Sequence, residues 1–165
     1  AGWGDACGPP QWGPKAAAMI QLTDEIRQHV NGALVAATPM IMAAVDPEGR
    51  PRMSFRGSIQ VFSDTQLGFW ARNAEGETLE AIQKNPNVAM MYRSPATRAT
   101  LQFIGRARIA QGAERDQVYE SAPEFEQKAD PERKGVGVIV DLDRVDGILG
   151  LDDQGQRRPV RLRRD

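Results

Sequence analysis

The sequence predicts a mainly β (α+β) domain, in which an antiparallel sheet curls into a small closed or split barrel with short peripheral helices. Three observations predict it. Apolar and polar residues alternate at period two through much of the chain, most regularly in ATLQFIGRARIAQ, residues 99–111. Strand-like runs follow one another through turns such as Asp46-Pro47-Glu48-Gly49. Helical stretches are few and short, and closing a sheet so rich in strands removes its edges.

Residues 1–15, AGWGDACGPPQWGPK, are dense in glycine and proline and predict no regular element, only a leader whose Trp3 and Trp12 could dock on the body or on a partner. Residues 16–165 are expected to form one domain. Thr23 is placed to cap a helix that has Asp24 and Glu25 in its first turn, Ile26 and Val30 on one face and Asn31-Gly32 at its end. From Pro39 the period becomes two. PMIMAAVD, the turn at Asp46–Gly49 and the stretch Arg50–Phe62 form a hairpin, with the second arm read as one strand. A turn at Ser63-Asp64-Thr65 leads into QLGFWAR, where Leu67, Phe69 and Ala71 oppose Gln66, Gly68, Trp70 and Arg72. A helix is predicted over Asn73–Lys84, stopped by Pro86. NVAMMYR and residues 99–111 follow as strands. Two short helices, 113–122 and 123–128, meet at Pro123. KGVGVIVDL and RVDGILGLD read as two further strands, and RRPVRLRRD as a terminal strand or a solvated tail.

Composition narrows the functional classes. With 165 residues and 41% hydrophobic content, the chain can bury one core. A net charge of −1 provides no global field for nucleic acid or an anionic membrane. The five arginines of the last nine residues lack the aromatic neighbours that stack on bases. The single cysteine, Cys7, excludes an intramolecular disulfide and points to a reducing, cytoplasmic setting; no apolar run is long enough for a membrane span. The single histidine, His29, reads as an ordinary surface residue. No phosphate loop, nucleophile elbow or metal-ligand spacing occurs, so no catalytic residue and no metal site is assigned. Any redox chemistry would then rest on a bound cofactor.

The stretch RPRMSFRGSIQVF carries the one pattern suited to a ligand. Its odd positions, from Pro51 through Met53, Phe55 and Ile59 to Val61, are apolar apart from Gly57. Its even positions, Arg50, Arg52, Ser54, Arg56, Ser58 and Gln60, are cations and hydrogen-bond donors. That second face meets either water or an anion. Arg52 and Arg56, four residues apart and so about 13 Å along a strand, could share a side with Arg72. The helix start that follows Arg72 presents free N–H groups and a positive dipole end. Trp70 could offer an aromatic surface to a flat ring, or it could cover the edge of the core.

Ala43–Ile109 resembles the pyridoxamine 5′-phosphate oxidase-like superfamily of FMN-binding split barrels. The resemblance rests on the leading helix, then Ala44-Val45-Asp46-Pro47-Glu48-Gly49-Arg50-Pro51, Arg52-Met53, Phe69-Trp70-Ala71-Arg72, a short helix ending at Asn85-Pro86, and Ile104-Gly105-Arg106-Ala107. No single motif is stringent; their succession carries the likeness. It implies a homodimer with FMN across the subunit interface and a flavin-dependent oxidoreductase of a small organic substrate. Carried over, Arg52, Met53, Ser54 and Arg56 would serve the phosphate with Thr78 from the helix. The main chain of Trp70, Ala71 and Arg72 would meet the ring edges, and Gln102 would reach in from the other subunit. Gly76-Glu77-Thr78 stands where the oxidases have a basic run, which leaves room for a deazaflavin, or for a non-catalytic flavin or haem carrier on the same fold.

Overall fold

The computed structural model describes residues 18–164. The predicted leader, with Trp3, Cys7 and Trp12, lies outside the described residues. The elements in chain order are β1 (Ala18–Met19), α1 (Asp24–Gly32), β2 (Met40–Val45), β3 (Pro51–Arg56), β4 (Gln60–Ser63), β5 (Gln66–Ala71), α2 (Glu77–Lys84), β6 (Asn87–Ser94), β7 (Ala99–Ile109), α3 (Gly112–Ser121), α4 (Glu124–Ala129), β8 (Val136–Leu151) and β9 (Arg157–Arg163).

The strands form one sheet in the order β1-β9-β8-β7-β6-β2-β3, with β5 also on β8 and β4 on β5. Only β1 and β9 pair in parallel. Strand β8 makes the fork. One edge pairs with β7, while the other pairs first with β5, over Val136–Asp141, and then with β9 from Arg144 onward. The β7–β8 register shifts between Ile104 and Gly105, where Asp143 is the extra residue. A Cβ on Gly105 would lie 2.3 Å from the Asp141 carbonyl oxygen, so glycine permits the close approach. Strands β1, β3 and β4 each have a single neighbour, and the sheet is not closed. This is the split barrel that the sequence predicts.

The core fills the curl. Leu67 and Phe69 from β5, Met40 and Met42 from β2, Met90 from β6, Leu101 and Phe103 from β7, and Val138 and Val140 from β8 meet Ile26 and Val30 of α1 and Leu79 and Ile82 of α2. The Thr23 side chain accepts the Ile26 N–H as the predicted cap of α1. A smaller cluster of Trp70, Ala110, Val118, Tyr119, Ala122 and Ile139 lies under α3. Arg157–Arg163 form a strand, and three of the C-terminal arginines meet acids: Arg158 pairs with Glu25, Arg163 with Asp146 and, just past the strand, Arg164 with Asp143.

Three predicted elements are corrected. Arg50–Phe62 is two strands, because β2 supplies partners only as far as Arg56, which lies opposite Met40. The chain then crosses the split through Gly57, Ser58 and Ile59 to pair with β5, and the buried Ser58 hydroxyl donates to the Trp70 carbonyl at 3.3 Å. Helix α2 begins after Gly76 rather than at Asn73, since the Asn73 side chain takes the Glu75 N–H in a turn of its own. KGVGVIVDL and RVDGILGLD are one 16-residue strand, β8, which absorbs Asp143 as a bulge. Among the described residues, no helix is long and apolar enough to cross a membrane.

Candidate cofactor site

The β2–β3 register decides which way the arginine row points. Met40 lies opposite Arg56, Met42 opposite Ser54 and Ala44 opposite Arg52. Cross-strand partners project to the same face, and Met40, Met42 and Ala44 are buried. The row Arg52, Ser54, Arg56 therefore turns toward the interior, beneath the start of α2. The apolar row of the same strand turns outward: Met53 is 73% and Phe55 70% exposed. This reverses the usual polarity of a half-buried strand, in which the apolar row would be the covered one.

Between β2, β3 and α2 lies a cavity of about 200 Å³ lined by Met42, Ala44, Arg52, Met53, Ser54, Glu77, Thr78 and Ala81. Four predicted residues, Arg52, Met53, Ser54 and Thr78, share this lining. Arg56 joins them from behind, its Nη2 donating to the Thr78 hydroxyl. Its guanidinium lies over the Phe69 ring, 5.5 Å from the centroid. The Nε of Arg56 is buried and has no hydrogen-bond partner among the described residues. Burial disfavours the charge of Arg56 and Glu126 partly restores it, so the guanidinium lies below its ordinary pKa. Helix α2 opens on Gly76, which offers no side chain to its first-turn N–H groups.

The remaining predicted residues do not line this cavity. The Trp70 indole offers no face to a ligand: it is 2% exposed, packs edge-on to Tyr119 and donates from Nε1 to Asp130 Oδ2 at 2.9 Å. The alternative weighed for it, cover for a buried edge, is what the packing shows. Ala71 is buried in the main core. Arg72 is drawn to Glu126, with Nε 2.9 Å from Oε2, an approach not aligned as a hydrogen bond. Gln102 lies on the outward face of β7, beside Met91 of β6. His29, a haem candidate in the carrier reading, has Nδ1 3.1 Å from the Tyr92 hydroxyl.

Two carboxylates shape the site, Glu77, which the sequence marked, and Glu126, which it did not. Glu77 opens α2, lines the cavity and forms an ion pair with Arg52. Glu126 of α4 is buried near Arg72 and Arg56. Burial raises its pKa above the usual carboxylate range, against the pull of both arginines. Glu126 lies 70 residues from Arg56, so only folding brings them together.

The family model for pyridoxamine 5′-phosphate oxidase matches residues 22–141. The chain belongs to the pyridoxamine 5′-phosphate oxidase family. The match spans α1 through the first part of β8, which includes every residue of the cavity. No curated protein sequence matches this family member significantly. Among solved structures it is similar to HupZ of Group A Streptococcus, at 21% identity and TM-score 0.58 over 77% of this chain and 94% of that one. It is similar to a pyridoxamine 5′-phosphate oxidase-related, FMN binding protein of Nostoc punctiforme at 16% identity and TM-score 0.58, over 82% and 93% of the two chains. A Clostridium acetobutylicum protein related to general stress protein 26 aligns at 12% identity and TM-score 0.58, over 86% and 96%. At these identities the likeness is one of fold.

Proposed function

We propose that this protein is a flavin-dependent oxidoreductase that binds FMN with its phosphate end in the β3–α2 cavity. The observation that carries the reading is the inward turn of Arg52, Ser54 and Arg56 onto the uncapped start of α2. A cavity of about 200 Å³ is below the usual range for a whole cofactor, so it suits an anionic end with part of its polyol. The donor set fits that end. Ser54 and Thr78 bring hydroxyls, Arg52 and Arg56 bring charge, and Glu77 and Thr78 place the first turn of α2 at the lining. The buried, unpartnered Nε of Arg56 is a donor in need of an acceptor.

The flavin ring would then lie outside the cavity, where one chain supplies a single wall. The outward sheet face offers the material for a second wall from another copy. Phe55, Ile41, Met91 and Gln102 form one row across β3, β2, β6 and β7, and Met53, Ala43, Ala89 and Ile104 form the next. Met53, Phe55 and Met91 are the exposed large apolar groups of these rows. Such a patch supports an interface between copies: the homodimer implied by the resemblance would bury it and bring Gln102 toward the other copy's ligand.

The flavin supplies hydride transfer, and the residues described here bind, orient and exclude water. A deazaflavin is the neighbouring reading, because its longer acidic tail would suit further arginines such as Arg93 and Arg98. The test is reduction under anaerobic conditions. Protein loaded with FMN should lose its flavin absorbance when a nicotinamide nucleotide is added, with dithionite as the control for full bleaching. Bound flavin that dithionite bleaches and nicotinamide nucleotides leave oxidised would favour a carrier instead.

A further inference from the structure

Among the described residues lining the cavity, Arg52 and Glu77 carry charge, and they form an ion pair with each other. The lining is therefore close to neutral, and the net positive charge comes from Arg56 behind Thr78. Glu77 is the first residue of α2 and adds a negative charge beside the positive helix end. An anion drawn to the same N–H groups would meet a like charge already in place.

We infer that Glu77 sets the charge selectivity of this cavity, disfavouring a dianionic phosphomonoester relative to an uncharged polyol end. The inference rests on the flavin reading and narrows it. The mechanism is a difference in two electrostatic interactions. Arg52 divides its attraction between Glu77 and the ligand, and Glu77 repels each negative charge brought to the helix start. At a separation of roughly 5 Å in a largely hydrated site, a unit charge acting on a dianion changes affinity about tenfold. A neutral ribityl chain feels neither interaction, and it can donate hydroxyl hydrogen bonds to the Glu77 carboxylate. Glu77 is exposed, its side chain retaining 71% of its surface, so the fold does not depend on it. Its replacement by glutamine keeps the shape and removes the charge.

The experiment compares FMN with riboflavin, which differ only in the phosphate. Dissociation constants for both are measured by quenching of flavin fluorescence, on the wild-type protein and on Glu77→Gln, with circular dichroism confirming the fold of each. The expected result is an FMN affinity about tenfold higher in Glu77→Gln, with riboflavin unchanged within about twofold. Adding Arg52→Ala to both backgrounds separates direct repulsion from the release of Arg52, and a residual gain of several-fold without Arg52 is expected. An unchanged FMN-to-riboflavin ratio, with both flavins binding, would overturn the charge role while leaving the flavin reading intact. Failure of both flavins to bind either folded protein would overturn the flavin reading and this inference together.

Discussion

Arg56 answers to three neighbours at once: the Thr78 hydroxyl, the Phe69 ring and the field of Glu126. Its charge lies behind Thr78 of the cavity lining, and its buried Nε has no partner among the described residues. Arg56→Ala should weaken FMN binding by about 1.5–3 kcal/mol, the range for a charge-assisted hydrogen bond, and calorimetric titration reads the loss. Asp130 makes a prediction of the opposite kind, about structure. Burial alone would raise its pKa, but the N–H groups of Gly135 and Lys134, the Trp70 indole and the Lys134 charge outweigh it and hold the carboxyl below its ordinary value. A carboxyl whose folded pKa is depressed contributes stability above its unfolded pKa of about 3.9, and that stability is lost as pH falls through the folded value. Urea midpoints should therefore decline from about pH 5 toward pH 3, and Asp130→Asn should remove part of that slope. At neutral pH Asp130→Asn should cost about 2 kcal/mol through unsatisfied buried donors, with a shift in Trp70 fluorescence. Arg52, Ser54, Arg56 and Thr78 could be found in the sequence because they sit on a regular strand and at a helix start. Glu126 and Asp130 could not, since nothing in EFEQKAD signals that α4 lies against β5.

At the scale of elements, the period-two runs of β2 and β7 marked those strands because each buries one face and leaves the other open. The same rule misled in Arg50–Phe62. Alternation fixes which residues share a face, but burial depends on neighbours: here α2 and β2 cover the polar row while the apolar row stays outside. The break at Gly57 was hidden because a strand ends where its partner ends, and the last β2 residue paired with β3 is Met40. The same limit split β8 into two predicted strands, since a bulged residue passes for a turn when the partner strand is unseen. Gly147 tests how tightly β7 and β8 are joined. Its φ is +147°, and an added Cβ would stand 2.0 Å from the Thr100 carbonyl oxygen, a backbone atom that cannot yield. Gly147→Ala should lower the unfolding free energy by about 2 kcal/mol or more, read by chemical denaturation. A change near zero would mean that the β7–β8 register slips to make room.

For the whole molecule, the forked sheet puts its two features to different uses. The interior of the split receives the cationic row and the start of α2, while among the described residues the outer face of β3, β2, β6 and β7 leaves Met53, Phe55 and Met91 exposed. A second copy on that face would complete a wall for a flavin ring. Phe55→Glu should then convert a dimeric wild-type protein into a monomer by light scattering, with unchanged circular dichroism and a flavin affinity reduced at least tenfold. The most direct test of a flavin's phosphate end lodged between β3 and α2 is an FMN titration of wild type and of Ser54→Trp, whose indole would fill the cavity. Saturable quenching at one FMN per chain in wild type, weakened tenfold or more in Ser54→Trp, is the predicted result. Equal affinity in the two folded proteins would place the cofactor elsewhere.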